Sequence, residues 1–146
     1  MRTEKEGISG ANEVIIAGML QRRNTDWAAL KSAGFDPGSL WERVDGDPEL
    51  LRDLLEVFKE EFPPMLAGLE HAIQNGDATG LERSAHKIKG SMLQFSGHGA
   101  AAAALQLEEL GRNGTVAGAG IALQRLKQET EILMKTLHTM IETGTV

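Results

Sequence analysis

The sequence predicts an all-α protein: an up-down antiparallel four-helix bundle with one or more short N-terminal helices. Three observations carry this. Helix-start signals recur, with Asp36-Pro37 and Asp47-Pro48 each placing a capping carboxylate before a proline at the first helical position. Apolar residues return every three or four positions in each long segment. No segment alternates apolar and polar residues over a strand's length, and nothing reads as a hairpin. Four long helical segments joined by short connections must lie antiparallel to their chain neighbours.

Residues 1–34 form an extension or cap, and residues 35–142 the bundle domain. Within the extension, Ala11 to Leu20 can form a short helix. Asn24-Thr25-Asp26 can cap another that uses Trp27, Ala28 and Leu30 and ends at Gly34. This segment is expected to cover one end of the bundle, because Trp27 and Leu30 need an apolar partner; a linker from a larger protein is the alternative.

The helix after Pro37 should end near Asp45-Gly46. The helix after Pro48 should bury Leu51, Leu54, Leu55 and Phe58, and Pro63-Pro64 should interrupt or kink it, since proline lacks the donor and clashes with the preceding turn. Helical pattern resumes with Met65, Leu66, Leu69, Ala72 and Ile73 and stops at Asn75-Gly76. Asp77 caps the next helix. Ser96-Gly97-His98-Gly99 breaks the chain again. An alanine-rich helix follows from about Ala100 to Gly111, and the last helix uses Ile121, Leu126, Leu133, Leu137 and Met140.

The helix after Asp77 carries the most informative stretch, Ala85-His86-Lys87-Ile88-Lys89-Gly90-Ser91. At about 100° per residue, Leu81, Ala85, Ile88, Met92 and Phe95 fall within about 80° of one another and form the core stripe. His86 lies about 140° round from Leu81, Gly90 lies nearly opposite it, and Lys89 and Leu93 flank the histidine. His86 should therefore be near the surface. A glycine inside a helix costs about 1 kcal/mol relative to alanine. One placed a turn after a histidine points to a gain from removing a side chain there, namely access to the imidazole. Lys89 beside it can attract an anion.

With its flanks, this heptapeptide resembles the signature of histidine-containing phosphotransfer (HPt) domains of multistep two-component phosphorelays. The resemblance runs from about Phe35 to Met140. It includes Phe35-Asp36 with Leu40-Trp41-Glu42-Arg43, the Leu50-Leu51, Leu54-Leu55 and Phe58 to Phe62 segment, and Leu107-Glu108-Glu109-Leu110 in the register of the helix packed beside the histidine. The resemblance implies a phosphorelay intermediate. His86 is the phosphoryl carrier, Lys89 supports the phosphate, and Gly90 leaves the imidazole open. It also implies that Glu108 hydrogen-bonds one ring nitrogen and leaves the other free. The alternative for Glu108 is a solvated surface side chain. Arg112, one turn later, matches a position that some members fill with a basic residue near the active face. Gln94 matches one where polar amides are common, with capping or partner contact as its role. Ser91 is a hydroxyl donor whose helical angle points it away from His86, which favours a structural role. Where the family commonly closes this helix with Gly-Ala, the chain has Ser96-Gly97, so its turn is expected to be shifted.

Neutral imidazole is a competent nucleophile near pH 7, since unperturbed histidine titrates near about 6.5, and it can hold a phosphoryl group covalently. The implied partners are response-regulator receiver domains, which would supply the aspartyl phosphate and the Mg2+, and a hybrid sensor histidine kinase. No cofactor of the chain's own is expected. There is no Walker loop or ATP-binding signature, so autonomous kinase activity is not expected. The alternative is a non-catalytic helical docking module for a receiver or kinase, which leaves Lys89 and Gly90 without a purpose.

Composition bounds the rest. The 146 residues carry a net charge of −6, no cysteine and no tyrosine. The acidic balance argues against general nucleic-acid binding. Without cysteine there is neither a disulfide framework nor a thiol nucleophile. His71, His98 and His138 share no ligand spacing with His86, so no metal site is expected. No apolar run approaches the roughly 18 residues of a membrane span, and Val14-Ile15-Ile16 is too short for a signal peptide. The expectation is a cytoplasmic monomer. Leu93 is left with two roles, an apolar docking patch or packing against the Glu108 helix.

Overall fold

The computed structural model describes residues 34–143, and these fold as five helices. A short α1 (Pro37–Arg43) precedes four long ones: α2 (Pro48–Gln74), α3 (Ala78–Gln94), α4 (His98–Arg112) and α5 (Ala119–Thr143). The helices anticipated at Ala11 to Leu20 and after Asp26 lie outside the described residues. The α2/α3, α3/α4, α4/α5 and α2/α5 packings close a ring. With connections of a few residues, this is the up-down bundle. Among the described residues no helix is long and apolar enough to cross a membrane.

Starts and stops follow the expected chemistry. Asp36 accepts from Ser39 N–H at 3.2 Å, Asp47 from Glu49 and Leu50 N–H, and Asp77 from Gly80 N–H at 2.9 Å. Four helices end in the same way. In α3 the chain turns left-handed at Ser96 (φ 55°), whose N–H donates to Leu93 O at 3.0 Å, while Gly97 N–H donates to Met92 O at 2.9 Å. Asp45, Gly76 and Gly114 hold the equivalent left-handed position after α1, α2 and α4. The glycine of Ser96-Gly97 therefore has a different job. A Cβ on Gly97 would stand 2.8 Å from Leu133 Cδ2, so α5 packs directly on the turn.

Three expectations need correction. Pro63 and Pro64 do not interrupt α2, which runs unbroken from Pro48 to Gln74. Both prolines are exposed, so the carbonyls they free, on Lys59 and Glu60, sit on a face that water reaches, while Phe58 and Phe62 stack at 5.1 Å on the opposite side. Leu54 is 41% exposed rather than buried, because Leu51, Leu55 and Phe58 already fill the core face of that turn. Ile121 is 82% exposed; Ala119, Ala122 and Leu126 take the inward positions at the start of α5.

The core stripe of α3 is as expected: Leu81, Ala85, Ile88, Met92 and Phe95 are all buried. Burying each large side chain contributes about 1.5–3 kcal/mol. The α3/α4 crossing is unusually close. Ala100, Ala101, Ala103 and Ala104 are buried on α4, and a Cβ on Gly111 would lie 2.5 Å from both Ala78 O and Glu82 N. Backbone thus approaches backbone, which fixes the height at which α4 presents Glu108 to α3. At the other end of α3, α1 closes the bundle with buried Leu40, Trp41 and Val44. Phe35 forms an antiparallel bridge with Gly97, and Ser96 Oγ donates to Ser39 Oγ at 3.2 Å. Arg43 Nη1 donates to the carbonyl of Leu93.

Candidate functional site

The site is built on the facing sides of α3 and α4. His86 projects from α3 with 67% of its side chain exposed. Glu108 projects from α4 with only 4% exposed. The alternative of a solvated surface glutamate is excluded. Its Oε2 lies 2.9 Å from His86 Nδ1. Lys89 Nζ lies 2.7 Å from Oε1 as an ion pair. Arg112 Nη2 donates to Oε2 at 2.9 Å, and Arg112 Nε reaches Glu82 Oε2 at 3.3 Å. One buried carboxylate thus meets an imidazole and two cations.

Burial alone would push the Glu108 carboxyl up. Hydrogen bonding to Lys89 and His86, with the positive charge of both, outweighs that and leaves it below the usual range. Glu108 is therefore ionised and can only accept. His86 must then hold its proton on Nδ1 and donate it to Glu108, which leaves the Nε2 lone pair facing solvent. The sequence left open which nitrogen is free; this geometry assigns it.

The depressed carboxyl has a consequence for stability. A group whose pKa is lowered on folding stabilises the fold fully above its ordinary value of 4.5, and that gain is lost as the pH falls through the lowered value. Thermal melts should fall on acidification below about pH 5, and Glu108→Gln should flatten this dependence. An acid slope unchanged by Glu108→Gln would assign it to other carboxylates. Glu129, which burial pushes up despite Arg125, acts in the opposite sense, so the comparison must be between variants.

Gly90 is exposed, and a Cβ there would meet nothing within 4 Å. No neighbour in the chain needs the missing side chain. Its absence leaves a clear approach one turn from His86. Of the supporting residues, Arg112 joins the network. Ser91 and Gln94 do not. Ser91 is half-buried, as its helical angle predicts for a structural residue. Gln94 is exposed and caps nothing, because backbone donors from Phe95, Ser96 and Gly97 already close α3. Leu93 is 39% exposed, so it does not pack away against α4. Glu82 is the site residue that sequence reasoning missed. Its position one turn before His86 was the available signal. Among the described residues no three His, Cys, Asp or Glu side chains converge closely enough to hold a metal ion.

The family model described as Hpt domain matches residues 53–140, well over half of the chain. The chain belongs to the Hpt domain family. Searches of curated proteins and of solved structures each returned no match. Hpt domains are phosphoryl carriers of two-component signalling rather than kinases, and they work with receiver domains and kinases. The helical bundle is the architecture that membership implies.

Proposed function

We propose that this Hpt domain is a phosphorelay intermediate in which His86 Nε2 accepts a phosphoryl group from an aspartyl phosphate on one receiver domain and passes it to another. The observation that carries the reading is the Nδ1 contact with a buried, ionised Glu108. In the transfer, the Nε2 lone pair attacks phosphorus in line, the phosphorus–oxygen bond of the acyl phosphate breaks, and the aspartate carboxylate leaves. The proton on Nδ1 stays in place, so the product is a phospho-imidazolium. Glu108 stabilises that positive charge, and the same charge keeps the group transferable in the reverse sense.

Lys89 and Arg112 divide the remaining work. Both neutralise Glu108 in the resting state. When phosphate arrives, Lys89 can turn its ammonium to the phosphoryl oxygens while Arg112 continues to hold the carboxylate. Glu82 tethers Arg112, a surface pair worth about 0–1 kcal/mol. Mg2+ and the in-line acid chemistry belong to the receiver. The receiver's docking surface would include exposed Leu93, two turns from His86, and exposed Leu105, three residues before Glu108 on the same side of α4.

Incubation of the purified chain with a phosphorylated, magnesium-loaded receiver tests the reading. The expected result is an acid-labile, alkali-stable phosphate on the peptide containing His86. Label on a different residue, or none from several receivers that bind the folded chain, would leave only the docking module.

A further inference from the structure

Glu108 Oε2 carries two contacts at once. His86 Nδ1 and Arg112 Nη2 both lie 2.9 Å from it, while Lys89 Nζ takes the other oxygen at 2.7 Å. The imidazole and the guanidinium therefore draw on the same acceptor atom. The two cations are held differently. Among the described residues, Lys89 forms its ion pair with Glu108 alone, so its ammonium can turn to an arriving phosphate. Arg112 has a second carboxylate, because its Nε reaches Glu82 Oε2 at 3.3 Å.

That second hold is built into the helix crossing. A Cβ on Gly111 would lie 2.5 Å from Glu82 N and 2.9 Å from Glu82 Cα. Arg112 follows Gly111 directly, so the point of closest backbone approach sets its guanidinium beside Glu82. Glu82, Arg112, Glu108 and His86 then form a continuous polar chain across α3 and α4.

The consequence lies in the loaded state. Transfer leaves the proton on Nδ1 and a positive ring beside Glu108. The carboxylate stabilises that ring, and a guanidinium fixed on the same oxygen opposes it. Lys89 is free to leave Glu108 at this stage, whereas Arg112 is tied in place from its other side. In the unloaded protein the same guanidinium offsets the burial of the carboxylate. The one contact thus favours the unloaded form over the loaded one.

We propose that Arg112, anchored by Glu82, is a positioning residue that acts through Glu108 to limit the stability of the phosphohistidine, and so sets how the phosphoryl group divides between this chain and its receiver. This rests on the reading of His86 as the carrier.

Phosphoramidate loads the ring without a receiver: Nε2 attacks phosphorus, the phosphorus–nitrogen bond of the donor breaks, and ammonia leaves. Phosphorus NMR then follows loss of the phosphohistidine. In Arg112→Ala it should persist about two to five times longer, the size expected of a half-exposed ion pair. Arg112→Lys keeps a charge within reach of Glu108 at one-turn spacing and should fall between the two. At equilibrium with a receiver, the ratio of loaded to unloaded Arg112→Ala should rise by the same factor. Long-range proton–nitrogen spectra of the unloaded ring give a readout that a merely structural role would not move. The Nδ1 signal of Arg112→Ala should shift as for a stronger hydrogen bond, with Nε2 still unprotonated. In a Glu82→Ala background, Arg112→Ala should have a smaller effect on the lifetime, because the guanidinium is no longer held.

An unchanged lifetime and equilibrium in Arg112→Ala overturns the proposal. So does a shift towards the receiver, which would make Arg112 a direct ligand of the phosphate. An equal effect of Arg112→Ala with and without Glu82 removes the anchor. A parent chain that takes no phosphoryl group on His86 fails the carrier reading instead, and the spectra of the unloaded ring still decide whether Arg112 weakens the hold of Glu108 on Nδ1.

Discussion

His86→Gln should lose phosphoryl acceptance completely while melting at the parent's temperature. The imidazole is mostly solvent-exposed and fills no core space, so the expected change in stability is within about 0.5 kcal/mol. A glutamine amide can still donate to Glu108, and Lys89 and Arg112 still neutralise that carboxylate. The variant thus removes the nucleophile and little else. Glu108→Ala separates a second contribution. It leaves the nucleophile but removes the acceptor that holds the proton on Nδ1 and balances the phospho-imidazolium. A hydrogen bond to a charged group is worth about 1.5–3 kcal/mol, so acceptance should slow roughly ten- to a hundred-fold. Glu108→Gln keeps an acceptor without the charge and should fall between the parent and Glu108→Ala. Timed transfer from one phosphorylated receiver measures all four proteins. Residual label on His86→Gln would move the carrier elsewhere, and equal rates for Glu108→Ala and the parent would remove Glu108 from the chemistry.

The same substitution at two glycines should give opposite signs. Gly111→Ala places a methyl group 2.5 Å from two backbone atoms of α3 that cannot turn aside. The helices must separate, at the roughly 1–3 kcal/mol typical of overpacking. The gain in helix propensity, about 1 kcal/mol at most, does not offset it. The melting temperature should drop by about 5–10 °C for a net loss of 1–2 kcal/mol. Gly90→Ala gains the propensity and meets nothing, so it should melt a few degrees higher. It should nevertheless transfer more slowly, because the added methyl stands one turn from the imidazole in the receiver's approach. A Gly111→Ala protein as stable as its parent would show that the α3/α4 crossing tolerates separation. A destabilised Gly90→Ala would show that the gap serves the fold.

The α3 half of the site was legible because it depends on one helix. The angles that put Leu81, Ala85, Ile88, Met92 and Phe95 on a stripe also put His86 off it, and a single periodicity governs both. Glu108 was legible only through family likeness. A glutamate on an alanine-rich helix reads as solvated until the depth of the helix crossing is known, and that depth is set by Gly111 against Ala78 and Glu82. Ile121 and Leu54 were misplaced for a related reason. A Leu or Ile near a helix end satisfies the pattern without being needed inside, and only the neighbouring helices decide whether the core already has its volume. Pro63-Pro64 carried a strong local rule whose force depends on which face the freed carbonyls meet.

The clamp at the start of the described chain bears on where this protein can be cut. The match to the family model begins at residue 53, inside α2. The turn that ends the histidine helix is held from upstream of that point: Phe35 on Gly97, Asp36 on Ser96, Arg43 on the Leu93 carbonyl, and Trp41 within the core. A fragment trimmed to the recognisable stretch would lose the Asp47 cap, the first turn of α2 and the plug under Phe95. The region that matches a family and the region that must fold together have different boundaries here. The buried core reaches back at least to Phe35.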